Sequence, residues 1–543
     1  MTRRLYGLQS GRLIHEQATF QSRIKRVVAA NMAAFEPQVL CDSTNPVRRL
    51  AIRTVLPVTP VIARMEYGGV PIDRPYLSEL QDKLAVVITD TQAELGRMAG
   101  NDAIKLNSPV AIANLLFGTG FTHPTTGEHV DAYPISADIS KTKKGATQTT
   151  EKVMQHLVAK YQCPFATKKL IYAKAFKAKN TFCQNVFDLS ALDGFLHTNY
   201  NQHGTKTGRL SSNDENMQNI PKKLAKVNIK KVFIPDDDTF LFVNADAKGA
   251  EVRILTAYCH DQALIDSLNA GQDTHCFIAS KIVALVRESG GSMEALASMG
   301  LDGNRLLSYD DFANRDKIKD TDAVYGAMLD KFRTAVKRVV FGILYGAGAH
   351  KIAETIGISL EQARSLIDSL FLMFPSIQVY MARTAWELET YGYVETFFGR
   401  RQRFAVTGAP GYLLGKAKRQ TVNFKIQSTS SDIVLGRLAA LEEPLKDLGG
   451  RLLLTVHDSI GFQIKKKYAQ QLPDFIYQNL ELGAAQAHPW LPVAFKWDYE
   501  VGPSYGELKS LDNYLANTLI KEKTNDAEEA FTEEEVKTIL SET

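Results

Sequence analysis

The chain has 543 residues, of which 45% are hydrophobic and 23% are charged. This composition is typical of a globular protein and excludes collagen-like and largely disordered classes. At roughly 150 residues per domain, the length predicts about three to four domains or subdomains. The five cysteines are scattered without a Cys-x-x-Cys pair, which disfavours a zinc ribbon or disulfide framework and fits a reducing compartment.

The net charge of +4 is distributed unevenly along the chain. Residues 521–543 hold eight acids and three bases and carry −5, so residues 1–520 carry +9. A basic body with an acidic tail weakly favours a polyanionic ligand, although many charged tails only improve solubility. No run reaches the roughly 18–20 apolar residues of a membrane-spanning helix, so no membrane partner is expected.

The first half of the chain alternates helical and irregular patterns. Apolar residues at helical spacing predict one long amphipathic helix over 75–100, and residues 151–186 also read as helical. The segment 118–150 is rich in Gly, Thr, Ser and Lys, which predicts a long exposed loop. The polar, irregular stretch 198–232 contains a basic cluster formed by Lys222, Lys223, Lys226, Lys230 and Lys231.

The second half adds strands to the pattern. A strand is predicted over 239–245, and a β-hairpin over 451–464. Helices are predicted over 249–260, 329–346 and 414–446. Strands and segregated helices together predict the α+β class, arranged in several subdomains.

Two aspartates follow apolar strand-like runs. Asp246 ends the first run, and Asp458 lies in the turn of the predicted hairpin. Carboxylates presented at a rigid sheet edge are suitable ligands for Mg²⁺, which keeps waters or substrate phosphates in its coordination shell. A pair of such ions could serve phosphoryl transfer. The alternative for each residue alone is a turn former or helix cap.

One helix face combines cations with aromatic rings. Arg333, Lys337, Phe341 and Tyr345 are spaced at four, so they lie on one slowly turning face. Cations can hold nucleotide phosphates, and an aromatic ring can support a sugar or base. The alternative is a basic helix end beside a core aromatic stripe.

A third element is rich in side-chain donors. It comprises Thr207–Ser212 and Asn216–Pro221, directly before the basic cluster. Such a stretch suits contact with a nucleic-acid backbone, and its alternative is an ordinary polar surface loop.

Taken together and in this order, the elements resemble the polymerase portion of a family A DNA polymerase over about residues 58–510. The stretch Asp246–Arg253 resembles the first palm motif, and Val456–Asp458 the second. Arg333–Gly346 resembles the fingers-helix motif, and Thr207–Pro221 the template-primer segment. Further matching positions are Asp273-Thr274-His275, Gly399-Arg400-Arg401, Arg419, Asn423 and Gln427.

The resemblance implies a right-hand architecture. Its palm would combine an antiparallel sheet with helices, and its fingers and thumb would be mostly helical. The implied divisions are an N-terminal extension (1–57), thumb and start of palm (58–197), palm with the first motif (198–260), fingers (261–398) with an insertion (284–328), palm with the second motif (399–510), and an acidic tail (511–543).

The resemblance also implies template-directed addition of dNTPs to a primer by two-metal phosphoryl transfer. Asp246 and Asp458 would bind two Mg²⁺ ions, for which Mn²⁺ could substitute, and the main-chain carbonyl of Ala247 would be a further ligand. Lys337 would protonate the leaving pyrophosphate.

The implied substrate contacts divide between nucleotide and primer-template DNA. Glu251 would exclude a ribose 2′-hydroxyl while bonding to Tyr345, so dNTPs are the expected substrates. The triphosphate would be held by Arg333, Lys337 and His275, and the sugar and base by Phe341 and Tyr345. The implied DNA contacts are Arg209, Gln427 and His457 at the primer end and minor groove, Asn423 at the template, and Asn216, Gln218, Asn219 and Arg419.

Four features depart from the family pattern. Ser459 stands where a glutamate usually follows the His-Asp pair, and His275 and Arg333 are 58 residues apart, which indicates the insertion. About 57 residues precede the resembling part, so a 3′–5′ exonuclease is expected to be absent and proofreading to come from another polypeptide, as a processivity factor could. The acidic tail is extra. The expected location is the cytoplasm of a bacterial or virus-infected cell, or an organelle.

Two other functions compete with a polymerase. The pairs His260-Asp261 and His457-Asp458 suggest a metal phosphohydrolase or nuclease, but further histidines at helical spacing are lacking. An inactive DNA-binding replication subunit is the other alternative, and the retention of Asp246, Asp458, Arg333 and Lys337 speaks against it.

Overall fold

The computed structural model describes residues 50–135, 145, 147–221, 227–288, 307–344, 347–356, 358–405 and 408–516. Several predictions therefore fall outside the described residues. These are Tyr345, three lysines of the basic cluster, most of the N-terminal extension, the middle of the insertion and most of the acidic tail.

A four-stranded antiparallel sheet forms the centre of the molecule. Its strands are β1 (Phe240–Ala247), β2 (Arg451–Val456), β3 (Ser459–Lys465) and β4 (Trp497–Gly502), in the order β2-β3-β1-β4. The predicted strand and hairpin are confirmed, and β4 is an addition. Only His457 and Asp458 separate β2 from β3.

Both faces of this sheet are buried. Leu241, Val243 and Ala245 of β1 pack into the largest apolar cluster of the described residues, whereas Phe242 packs into a second cluster on the other face. A strand covered on both sides needs apolar residues at consecutive positions, which explains the unbroken apolar run of β1. The sheet is therefore held in place by packing on both of its faces.

The predicted helix over 75–100 is confirmed as α1 (Arg74–Ala99). It begins where the Asp73 side chain accepts a hydrogen bond from the Tyr76 N–H and ends at Gly100 in the left-handed conformation. The helical stretch predicted over 151–186 is interrupted, since Gln162 is left-handed and Pro164 opens a new helix. A third apolar cluster joins α1 to these helices.

The helices that carry or support the candidate site residues follow strand β1 in the chain. They are α2 (Ala250–Cys259), α3 (Thr274–Glu288), α4 (Tyr309–Ala313), α5 (Arg315–Thr321), α6 (Ala323–Leu344) and α7 (Gly411–Asp447). The predictions over 249–260, 329–346 and 414–446 correspond to α2, α6 and α7. Other helices are Leu56–Gly68, Pro109–Asn114, Glu151–Tyr161, Pro164–Lys177, Gln184–Leu189, Gln262–Asn269, Ala349–Ile356, Leu360–Met373, Pro375–Tyr391, Leu472–Ile476 and Gly483–Ala487.

The remaining strands are short pairs at the periphery. They join Val70–Pro71 to Phe195–Leu196, Phe121–Thr122 to His129–Val130, Asn199–Asn201 to Ser211–Asn213, and Tyr393–Glu395 to Arg401–Arg403. The first and last segments predicted as irregular, 118–150 and 198–232, thus each contain a small hairpin. Since mostly helical peripheral regions surround one antiparallel sheet, the α+β prediction is confirmed.

Within the described residues, no single helix has the length and apolar composition needed to cross a membrane; the pair Leu360–Met373 and Pro375–Tyr391 meets those criteria only together, with a 98° bend between them.

Candidate active site

The two predicted metal-binding aspartates meet at one edge of the sheet. Asp246 is the penultimate residue of β1, and Asp458 lies in the two-residue turn beside it. The N–H of Ala247 donates a hydrogen bond to the main-chain oxygen of Asp458 at 3.1 Å, which joins the two motifs directly. Residues 212 positions apart in the chain are therefore brought together by strand pairing.

Burial and neighbouring negative charges at this edge raise the pKa of Asp246 to about 6. Burial is the largest cause, followed by the negative charges of Asp458, Asp498 and Glu500. Asp498 lies opposite Asp246 in the register, but its side chain is 64% exposed and binds Lys248 at 2.9 Å. A carboxyl group that is costly to ionise among other carboxylates favours an incoming cation.

The turn that carries Asp458 is held in an unusual conformation. His457 has φ +54°, and its N–H donates a hydrogen bond to the Gln218 side-chain oxygen at 2.7 Å. The Gln218 amide also donates to the main-chain oxygen of Thr455 at 2.8 Å. Gln218 is buried, and these two contacts hold the hairpin turn in place. The predicted contact of Gln218 with DNA stays a prediction.

Arg209 connects the aspartate edge to Glu251. Its Nη2 donates hydrogen bonds to both oxygens of Asp458, at 3.1 and 2.9 Å, and to the Glu251 carboxylate at 3.2 Å. Gln427 also donates to Glu251, at 3.3 Å. Three residues predicted from separate motifs therefore form one network around Asp458.

A buried ion pair supports the loop that carries Arg209. Arg400 Nη2 donates to Asp432 Oδ1 at 2.6 Å, and Asp432 is fully buried in α7. The guanidinium lies so close to Gly208 that a Cβ there would come within 2.3 Å of Arg400 Cζ. Gly208 also has φ +78°, so only glycine fits between Arg400 and Arg209.

Three residues of the predicted cation-rich face, Arg333, Lys337 and Phe341, lie on α6, and Tyr345 lies outside the described residues. Arg333 donates to the Asp273 carboxylate at 2.5 Å, and Lys337 is exposed with its Nζ 5.9 Å from the centre of the Phe341 ring. Asp273 also accepts hydrogen bonds from the main-chain N–H groups of His275 and Cys276, so it caps the start of α3. Burial lowers the pKa of the Arg333 guanidinium, whereas the hydrogen bond and the negative charge of Asp273 raise it. The net result is a pKa above the ordinary value for arginine.

His275 lies against the same face. Its ring centre is 5.6 Å from that of Phe341, and its Nδ1 is buried without a hydrogen-bond partner among the described residues. Burial lowers the pKa of His275 to about 4; Arg333 and Lys337 add to this effect, and Asp273 opposes it. The imidazole is therefore neutral near pH 7.

The remaining predicted DNA-binding residues flank the network. Asn423 and Gln427 lie one turn apart on α7, and Arg419 lies exposed one turn before them. Asn219 is exposed, and Asn216 accepts a hydrogen bond from Ser212 at 3.3 Å. These positions form a polar margin, but no contact in the structure tests their role with DNA.

The structure gives local structural roles to Ser459 and to the pair His260-Asp261, which the sequence analysis singled out. Ser459 is buried, and its hydroxyl donates to the main-chain oxygen of Val456 at 2.9 Å. His260 is left-handed at the end of α2, and Asp261 caps the next helix by accepting from the Leu264 N–H. In the part of the chain described, no group of three or more His, Cys, Asp or Glu side chains could hold a metal ion.

Sequence reasoning named Asp273 and Arg400 as matching positions without a role, and it missed Asp432. Asp273 binds Arg333, and Asp432 binds Arg400, so each pair joins residues distant in the chain. An acid within the otherwise buried, small-residue stretch of α7 was the available signal for Asp432, since such a charge is rarely buried unpaired.

The chain matches one protein-family model and is similar to several known proteins. The family model described as DNA polymerase family A matches residues 74–293 and 318–507. DNA polymerase I of Chloroflexus aurantiacus is 29% identical over 466 residues, covering 85% of this chain and 44% of that protein. The thermostable DNA polymerase I of Thermus aquaticus is 30% identical over 450 residues, covering 82% of this chain and 46% of that protein.

The chain thus spans less than half the length of these two relatives. Its fold is similar to the POL domain of Pol1 from M. smegmatis, solved in complex with DNA primer-template and dNTP. That similarity has a TM-score of 0.66 at 26% sequence identity, and it covers 84% of this chain and 70% of the solved one. The right-hand architecture is thereby confirmed, and the chain belongs to DNA polymerase family A.

Proposed function

We propose that this chain is a DNA-directed DNA polymerase that adds dNTPs to the 3′ end of a primer annealed to a template. The observation that carries the proposal is the meeting of Asp246 and Asp458 at one sheet edge, joined by the hydrogen bond from Ala247 to Asp458. An arginine network lies on one side of this edge, in the segment that resembles the template-primer contacts. The family and the solved DNA-bound neighbour support the same function.

The aspartate edge fits a Mg²⁺ site. Mg²⁺ is usually bound by one or two carboxylates together with waters and substrate phosphates, so two aspartates without a closed protein cage are the appropriate donor set. The raised pKa of Asp246 shows that its surroundings disfavour an uncompensated negative charge there. Asp246, Asp458 and the Ala247 carbonyl would hold two Mg²⁺ ions, which supply charge stabilisation for phosphoryl transfer.

The α6 face suits the triphosphate. Arg333, exposed Lys337 and the neutral imidazole of His275 present donors to one region, so they would bind and orient the nucleotide's phosphates. Lys337 would give a proton to the departing pyrophosphate. Phe341 and Tyr345 would contact sugar and base.

The palm network suits the primer end and the sugar. Glu251 is buried and held by Arg209 and Gln427, so it presents a fixed surface that would exclude a ribose 2′-hydroxyl. Arg209, Gln427 and His457 would contact the primer end and minor groove, and Asn423 the template. Asn216, Gln218, Asn219 and Arg419 would complete the DNA contacts.

The subdomain division is part of this proposal. The thumb and start of palm would occupy 58–197, the palm 198–260 and 399–510, and the fingers 261–398. Separate apolar clusters support a thumb core distinct from the palm core.

Primer extension tests the proposal. With a primed template, dNTPs and Mg²⁺, the wild-type protein should extend the primer, and Asp246→Ala should reduce extension by about a thousandfold or more, since removal of a residue of a cooperating catalytic set has effects of this size. Asp447→Ala is the matched control, because Asp447 is an exposed aspartate at the end of α7. Normal extension by Asp246→Ala would contradict the metal assignment.

A further inference from the structure

A segment between α3 and α6 lies outside the family match. The matched residues end at 293 and resume at 318, and the unmatched stretch falls within the predicted insertion 284–328. Its described part, residues 307–317, contains α4 and the start of α5. We call residues 307–317 the strap.

The strap contacts the residue that holds Arg333. The hydroxyl of Tyr309 accepts a hydrogen bond from the main-chain N–H of Asp273 at 3.0 Å. Asp273 uses one carboxylate oxygen to cap α3 and the other to bind Arg333. Tyr309 therefore fixes the backbone of Asp273 while both of its carboxylate oxygens are occupied by other groups.

The strap also packs against the same start of α3 through Phe312. The main-chain oxygen of Phe312 lies 3.5 Å from the Cys276 thiol, which donates to it. Its ring is fully buried, 5.8 Å from the ring of Phe332 on α6. Phe332 directly precedes Arg333, so Phe312 contacts α3 through its main-chain oxygen and α6 through its ring.

A third contact ties the strap to α6. Arg315 donates from Nε to the Asp330 carboxylate at 3.1 Å and from Nη1 to the Phe312 oxygen at 3.1 Å. Asp330 lies one helical turn before Arg333. A capping box between Ser308 and Asp311 fixes the start of α4.

We propose that the strap sets the separation of α3 and α6 and thereby the dNTP affinity of the site, with Tyr309 and Arg315 as positioning residues. This inference rests on the proposed polymerase function. The triphosphate residues His275 and Arg333 sit on different helices, and the strap contacts both of these helices where they pack together. An inserted segment that contacts both is suited to tune nucleotide binding without touching the nucleotide.

Single-turnover incorporation at varied dNTP concentration tests the strap. Tyr309→Phe removes only the acceptor for the Asp273 N–H, and loss of one hydrogen bond predicts an increase of about two- to tenfold in the half-saturating dNTP concentration. The maximal rate, the primer-template Kd and the thermal midpoint should stay near wild-type values. Tyr477→Phe is the matched control, because Tyr477 is half exposed and lies outside the site.

A double-mutant cycle shows whether Tyr309 acts through Asp273. If it does, Tyr309→Phe combined with Asp273→Asn should raise the half-saturating dNTP concentration by less than the product of the single effects. Arg315→Met provides a second route and should also raise that concentration. The proposed role of the strap would be overturned if the half-saturating dNTP concentration were unchanged in both Tyr309→Phe and Arg315→Met. Multiplicative effects in the cycle would overturn it as well. Wild-type protein that fails to extend a primer would instead contradict the proposed function.

Discussion

The aspartate edge in the proposed palm and the α6 face in the proposed fingers each have an arginine beside the proposed reaction centre, and these two arginines are supported in different ways. In the palm, the loop of Arg209 rests on Arg400, which is held by the fully buried Asp432. In the fingers, Arg333 is held by Asp273, whose side chain is 37% exposed. The palm support is thus part of the core, whereas the fingers support is a half-exposed helix cap reinforced by the strap.

The two regions also differ in how burial acts on their titratable groups. Burial raises the pKa of Asp246 to about 6 at the palm edge and lowers the pKa of His275 to about 4 on the fingers face. In both cases the neutral form gains. The aspartate edge therefore favours the binding of cations. The α6 face instead carries two cationic side chains, Arg333 and Lys337, beside the neutral imidazole of His275. The aspartate edge is negatively charged and the α6 face is positively charged, which suits a substrate that brings both metal ions and a triphosphate.

The largest expected effect separates the two arginine supports by stability. Asp432→Ala leaves Arg400 without its buried partner, which should cost about 3–5 kcal/mol of unfolding free energy. Asp273→Ala should cost less, about 1–2 kcal/mol, from the lost helix cap and the lost ion pair, because the Asp273 carboxylate is 37% exposed and its ion pair is partly solvated. Urea unfolding of both variants measures the difference. Equal losses would show that the two supports are not distinct.

The next expected effect separates the arginines by substrate. Arg333→Ala should lower kcat/KM for dNTP incorporation by about a hundredfold, as for removal of one preorganised donor, with little change in primer-template affinity. Arg209→Ala should mainly weaken primer-template binding, and more so at low salt. Incorporation kinetics and fluorescence anisotropy on the same two variants measure this. If both variants changed the same constant, the assignment of nucleotide to fingers and primer to palm would fail.

The smallest expected effect concerns pH. The folded pKa of His275 lies below its ordinary value of about 6.5, so its contribution to stability is present above that value and is lost as pH falls toward 4. Between pH 7 and pH 4.5, wild-type protein should lose on the order of 1–3 kcal/mol more unfolding free energy than His275→Gln. Urea unfolding at the two pH values provides the comparison. Identical pH dependence in both proteins would show that His275 is not held neutral by burial.

The sequence predicted the sheet and the long site helices because their apolar spacing is local. It also placed Asp246, Asp458, Arg333 and Lys337, since their motifs are short. The pairs that support the arginines were not predictable in this way. Arg400 and Asp432 are 32 positions apart, and Tyr309 and Asp273 are 36 apart, so no local pattern shows that they meet.

Helix α7 illustrates the same limit. Its Ser428–Ser431 stretch is polar in sequence, but all four residues are buried, as is the following Asp432. A polar stretch ordinarily predicts a solvent-facing surface. Only the packing of α7 against α2 and the sheet shows that these small side chains allow close approach at the base of the site.

In the proposed function, Asp458 serves catalysis, and its hydrogen bonds with Arg209 also restrain that arginine. The most direct measurement of both roles is primer-template affinity and single-nucleotide incorporation by Asp458→Ala under the same conditions. This variant should bind primer-template at least as tightly as wild type, because Arg209 loses a carboxylate partner, and its incorporation should fall about a thousandfold or more. Incorporation near the wild-type rate would contradict a catalytic role for Asp458.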